Sequence, residues 1–198
     1  MRRRWCQVGA QGTAVLVLLS LVVDLLLKDK ANLQQVFWSC YWGAFAVAVG
    51  IVIRSRRLVA SGVVFFVGVG SPAWLVGRLA EEQLDPTSVL IHFLPLIAGA
   101  LYITQLSRLP RYSAAGAWLL HAAPLAMARI FCDPAANINM AHASWPPLTR
   151  FLPHLWEFHV LVLATSAATV TLAAWAIDHM LASRTQLQQL AERPAKAA

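Results

Sequence analysis

The chain has 198 residues, of which 59% are hydrophobic and 13% charged, and its formal net charge is +7. An ordinary soluble domain carries about a quarter charged residues, so this composition excludes a water-soluble globule and leaves room for one membrane domain. The basic excess lies in short arginine clusters between apolar runs; that pattern orients a membrane protein and does not point to nucleic acid as a partner.

A helix crosses the hydrocarbon core with ~20 apolar residues, and six runs of that order follow one another: 8–27, 36–53, 58–79, 87–106, 113–131 and 158–181. The expected fold class is therefore all-α, an integral membrane bundle of six transmembrane helices. The first run follows Met1-Arg2-Arg3-Arg4 and ends at Lys28-Asp29-Lys30 without a small-residue cleavage pattern, so it reads as a retained anchor. The third is rich in valine, but backbone in lipid must satisfy its own hydrogen bonds, so helix wins over strand. It also carries Gly62, Gly68, Gly70 and Pro72. Proline leaves the Gly68 carbonyl without its usual donor and small residues allow close approach, which predicts a kinked helix at the bundle centre.

The fourth and fifth runs hold His92-Phe93-Leu94-Pro95 and His121-Ala122-Ala123-Pro124. Each proline frees the carbonyl four residues earlier, Ile91 and Leu120, beside a histidine. A ring N–H bonded to a carbonyl would set the tautomer and leave the other nitrogen as base or ligand. In the sixth run His159, Ser166, Thr169 and Ala173 form one stripe suited to a helix–helix contact, and Asp178, near the inner boundary, is expected to pair with Arg184 or to snorkel. Residues 184–198 read as a polar cytoplasmic tail.

With the N-terminus inside, the inner side receives Arg2, Arg3, Arg4, Arg54, Arg56, Arg57, Arg108, Arg111, Arg184, Arg193 and Lys196. The outer side receives only Lys28, Lys30, Arg78, Arg129 and Arg150. This bias places both termini in the cytoplasm and the protein in a multi-pass orientation, as in a bacterial inner membrane. Four of the five connections are short. The fifth, residues 132–157, is long and carries Trp145, Leu148, Phe151, Leu152 and Trp156 with Pro146-Pro147 and Pro153. It is too apolar for a disordered linker and is expected to form a structured cap on the outer interface.

Polar groups inside spans are costly and default to functional hypotheses. The topology collects most of them toward the outer end: Asp24, Ser39, Cys40, His92 and His159, beneath Asp133, Asn137, Asn139, His142, His154 and Glu157 of the loop. A nucleophile, Cys40 or Ser39, with His92 as base is one reading of this cluster; Asp24, Asn137, Asn139, His142 and His159 would line its substrate side. A buried cysteine is more often a small apolar packer, and Cys40 could also pair with Cys132. His92, His142, His154 and His159 with Asp133 or Glu157 offer metal-ligand types, but no metal-binding spacing occurs, so no metal or cofactor is expected.

Six spans with cytoplasmic termini, a nucleophile candidate early in the second span and a histidine in the fourth resemble the six-span intramembrane hydrolases and acyltransferases. The androgen-induced-gene and androgen-dependent TFPI-regulating proteins typify that group. The resemblance implies action on a lipid ester, with Cys40 or Ser39 as nucleophile and His92 as the histidine. On the hydrolase expectation the lipid is met at the outer leaflet, and Asn137 or Asn139 steadies the oxyanion. The threonine nucleophile usual in that group is absent from the second span. The competing expectation is a non-enzymatic membrane subunit, assembly factor or small-ligand-binding module that uses the outer loop, with lipids, a membrane-protein partner or a second copy as its company. Transport fits less well, because the spans lack paired buried acids and bases and show no obvious inverted repeat.

Overall fold

Backbone polar groups in hydrocarbon must be paired within their own segment or in a closed sheet. The computed structural model, which describes residues 2–27, 30–81 and 86–192, is all-α, and no strand occurs among those residues. In chain order, α1 is Arg2–Leu27, α2 is Ser39–Val52 and α3 is Arg56–Phe65. A π turn at Phe66–Gly70 joins α3 to α4, Ser71–Glu81; then come α5, Pro86–Ile103, α6, Ser113–Phe131, and α7, Leu155–Glu192. Four stretches are long and apolar enough to cross a membrane: Trp5–Leu27, Arg56–Leu79, Ser113–Phe131 and Leu155–Leu190. Ser39–Val52 and Ser88–Ile103 are apolar but shorter. The expected span 36–53 is shortened because Lys30–Phe37 forms a separate 3₁₀ segment. The expected tail 184–198 continues α7 as far as Glu192, and residues 193–198 lie outside the described residues.

Burial on α1 follows one helical stripe, Ala10, Ala14, Val17, Leu21 and Asp24, while Val15, Leu16, Leu19, Val22 and Val23 are exposed. The helix is thus apolar on its exposed face as well as its buried one, which suits a helix backed by protein and fronted by lipid. α3 lies at the centre, against α2, α5, α6 and α7. Glycines set the closeness of these contacts. A Cβ on Gly62 would meet Val47 and the Gly43 carbonyl, and one on Gly68 would stand 3.0 Å from the Val170 backbone. The distortion near Pro72 takes the form of the π turn, which lets Phe65 and Phe66 both fill the core, 1% and 0% exposed.

The two ends of the bundle differ. One carries the segment between α6 and α7, hereafter the cap. The other carries the α2–α3 and α5–α6 turns with their arginines. There Asp178 accepts from Arg108 at 3.1 Å and from the Leu109 N–H at 2.8 Å, while Arg184 donates to the Thr104 carbonyl at 3.0 Å. Asp178 therefore pairs with Arg108 in place of the expected Arg184, because the α5–α6 turn folds back onto α7.

Candidate functional site

The cap is built from short 3₁₀ turns, Pro134–Ala136, Ile138–Met140 and Pro146–Leu148. Asp133 opens the first by accepting from the Ala135 N–H at 2.8 Å. Asn137 and Asn139 then take left-handed backbone, with φ of 41° and 54°. Asparagine tolerates that region better than other side-chain-bearing residues, which explains the residue type at both positions.

The two asparagines do different things. Asn137 ties the cap to itself: its Oδ1 accepts from the N–H groups of His142 (2.9 Å) and Ala143 (2.8 Å), and its Nδ2 donates to the Ala143 carbonyl at 3.1 Å. Asn139 reaches α2. The residue before that helix, Trp38, supplies no side-chain cap. Asn139 Oδ1 instead accepts from the Ser39 N–H at 3.0 Å and from Ser39 Oγ at 3.2 Å, and its Nδ2 donates to the Phe37 carbonyl at 2.6 Å. A residue 100 positions away thus caps the helix. Ser39 Oγ also lies 3.4 Å from the His121 carbonyl, which brings α6 into the same junction.

Most of the remaining polar contacts of the cap are likewise side chains on backbone. His142 accepts from Arg129 at Nδ1 (3.0 Å) and donates from Nε2 to the Ala128 carbonyl (3.2 Å). Arg129 also donates to the Ala141 carbonyl at 3.2 Å. His159 donates to the Met140 carbonyl at 3.1 Å, tying the start of α7 to the cap. Gln34 accepts from the Asp133 N–H at 2.7 Å, and Phe37 stacks on Phe131 with centroids 6.3 Å apart. No disulfide joins Cys6, Cys40 or Cys132, so the Cys40–Cys132 pair is not formed, and burial pushes the Cys132 thiol up.

Away from the cap, two polar groups sit inside the bundle. Asp24, 3% exposed, accepts a hydrogen bond from the Tyr41 hydroxyl, joining α1 to α2. His92, 4% exposed, donates from Nδ1 to the Ser88 carbonyl at 2.7 Å, so Nε2 carries the lone pair. This carbonyl belongs to its own helix and is not the proline-freed one of Ile91. The ring stacks on Trp74 at 4.9 Å and meets the edge of Phe66 at 6.1 Å, and Trp74 donates to Ser88 Oγ at 2.7 Å. Cys40 packs, half-buried, against the main apolar core. His121 differs from the expectation of a proline-kink hydrogen bond, since both ring nitrogens are buried without a partner among the described residues.

The structure therefore brings Ser39, Asn139 and the His121 backbone together, and Asn137 together with His142. Asp24 meets Tyr41, while the bonds and ring contacts described for His92 run to Ser88, Trp74 and Phe66. No three His, Cys, Asp or Glu residues converge on a metal-sized site among the described residues. Sequence reasoning missed Gln34, Tyr41 and Arg129. Matching depths could have found Tyr41, because Asp24 near the end of one span and Tyr41 near the start of the next fall at one level. Nothing local marks the other two. No protein-family model, curated protein or solved structure matches the chain.

Proposed function

We propose that the chain is a six-span protein of a bacterial cytoplasmic membrane, both termini inside, and that it is a non-enzymatic membrane module presenting a fixed outer cap to a partner. α5, with 18 residues, is about 27 Å long, close to the thickness of the hydrocarbon core. α2 is about 21 Å long from its 14 residues, and the Lys30–Phe37 segment completes the crossing. The alternation of arginine-rich turns with the cap supports the orientation.

The observation that carries the functional reading is how the candidate polar atoms are used. Ser39, Asn137, Asn139, His142 and His159 all bond to backbone or to one another within the junction. Such bonds fix a surface, and Phe151 of the cap and Trp156 in the first turn of α7 beside it are each 65% exposed. Aromatic side chains at a rigid surface suit recognition of a membrane-protein partner and anchoring at lipid headgroups. Photo-crosslinking residues placed at Phe151 and Trp156 in cells are expected to yield a discrete protein adduct that disappears in Asn139→Ala. Adducts to lipid alone would refute the partner reading.

A second reading keeps the intramembrane lipid hydrolase or acyltransferase, with Cys40 as nucleophile and His92 as base. The Nδ1–Ser88 hydrogen bond favours it, because it leaves Nε2 as the proton acceptor. Its test is a cysteine- or serine-directed activity probe with lipid esters as substrate. Labelling and turnover abolished by Cys40→Ala and His92→Ala would establish this reading and remove the first; no labelling and no turnover would remove the second.

A further inference from the structure

At the end opposite the cap, two turns that are far apart in sequence enclose one cavity. It measures about 350 Å³ and is lined by Arg56 and Arg57 at the start of α3 and by residues 105–110, Arg108 among them. That volume falls in the range of ligand pockets, about 300–1,000 Å³. Arg108 is held by Asp178 at 3.1 Å, whereas Arg56 and Arg57 make no ion pair among the described residues. α3 is ten residues long, has no acidic residue in its first turn, and is capped by Ser55 Oγ on the Leu58 N–H. Its first N–H groups, those of Arg56 and Arg57, have no intrahelical acceptor by geometry and add a partial positive charge at the same place.

Orienting a membrane protein needs only a sufficient number of cations in a loop. It does not need arginines from two separate turns to converge on a cavity beside a helix N-terminus. Guanidinium groups are planar forks that match phosphate oxygens in pairs, and the site has three of them against one carboxylate. We propose that this cavity is a phosphate-binding site, filled by the headgroup of an anionic phospholipid or by free phosphate. Its position at the end of apolar α2, α3 and α5 places it where headgroups lie beside a membrane-spanning bundle. The site is independent of the cap and of what the cap does.

The test uses the full chain, purified and delipidated, with retention of phosphatidylglycerol and phosphatidylcholine read by native mass spectrometry. A thermal-shift series with inorganic phosphate runs alongside. The expected result is preferential retention of phosphatidylglycerol, reduced about tenfold or more in R56A/R57A and unchanged in R150A at the opposite end. A stabilising shift with inorganic phosphate that is lost in R56A/R57A, without preference between the lipids, would assign the site to free phosphate. Should R56A/R57A fail to fold, R56K/R57K keeps the charge and loses the fork, and lowered retention relative to wild type is expected. Equal retention of both lipids with no phosphate shift overturns the proposal, as does retention that ignores the Arg56 and Arg57 substitutions.

Discussion

Replacing Asn139 by alanine removes the link between cap and α2. The Ser39 N–H and hydroxyl lose their common acceptor, and the Phe37 carbonyl loses a donor. Ser39 is 5% exposed, so its N–H has little access to water. A buried polar group without a partner costs about 1–3 kcal/mol. Alanine must also hold the left-handed backbone at φ 54°, for about 1–2 kcal/mol more. Phe37 is half-buried and can recruit water at its carbonyl, so it adds little and the total is about 2–5 kcal/mol. Reversible unfolding by SDS titration in mixed micelles measures this loss. Asn139→Gly separates the two contributions, since glycine accepts φ 54° freely, and it is expected to recover about 1–2 kcal/mol relative to alanine. An Asn139→Ala protein within about 0.5 kcal/mol of wild type would refute the reasoning, because that is the ordinary range for a surface residue.

Further substitutions probe the bundle by the same assay. Tyr41→Phe leaves the buried Asp24 carboxylate without that donor and is expected to cost about 1–3 kcal/mol; a cycle with Asp24→Asn should show coupling above about 0.5 kcal/mol. Gly68→Ala drives a Cβ against the Val170 and Thr169 backbone at 3.0–3.1 Å, for about 1–3 kcal/mol, whereas Gly77→Ala meets nothing within 4 Å and should be neutral or mildly stabilising. His121→Phe replaces a ring with two unpartnered nitrogens by one with none, and a gain of about 1–3 kcal/mol is expected; a loss would show that water or a ligand bonds the imidazole.

Much of the fold was legible because lipid leaves the chain few options. Apolar length alone located α1, α6 and the body of α7, and glycine content with Pro72 located the central helix. What escaped is tertiary. Val36-Phe37-Trp38 continues the apolar run without a break, yet α2 begins at Ser39, where Asn139 from a distant loop supplies the cap. The proline at 72 announced a distortion, but neither its π form nor the close approach of Gly68 to Val170 was legible there. Chemistry-bearing residues were easy to collect at one end, since charge bias sets depth. Their roles were not: Ser39 and Asn139 have the atom types of a nucleophile and an oxyanion donor, and only their partners show that both hold a helix end. His92 and His121 share a His-x-x-Pro pattern yet differ in outcome, because Ser88 offers one a carbonyl and nothing among the described residues offers the other a partner.

The most direct test of the account is membrane sidedness. Single cysteines at Ala143 in the cap and Ser107 in the arginine-rich turn, both exposed, can be placed in a chain whose own cysteines are replaced by serine. Intact cells are then treated with a membrane-impermeant maleimide. Ala143→Cys is expected to label in intact cells and Ser107→Cys only after lysis. Labelling of both from the same side, or of Ser107→Cys alone in intact cells, would contradict it.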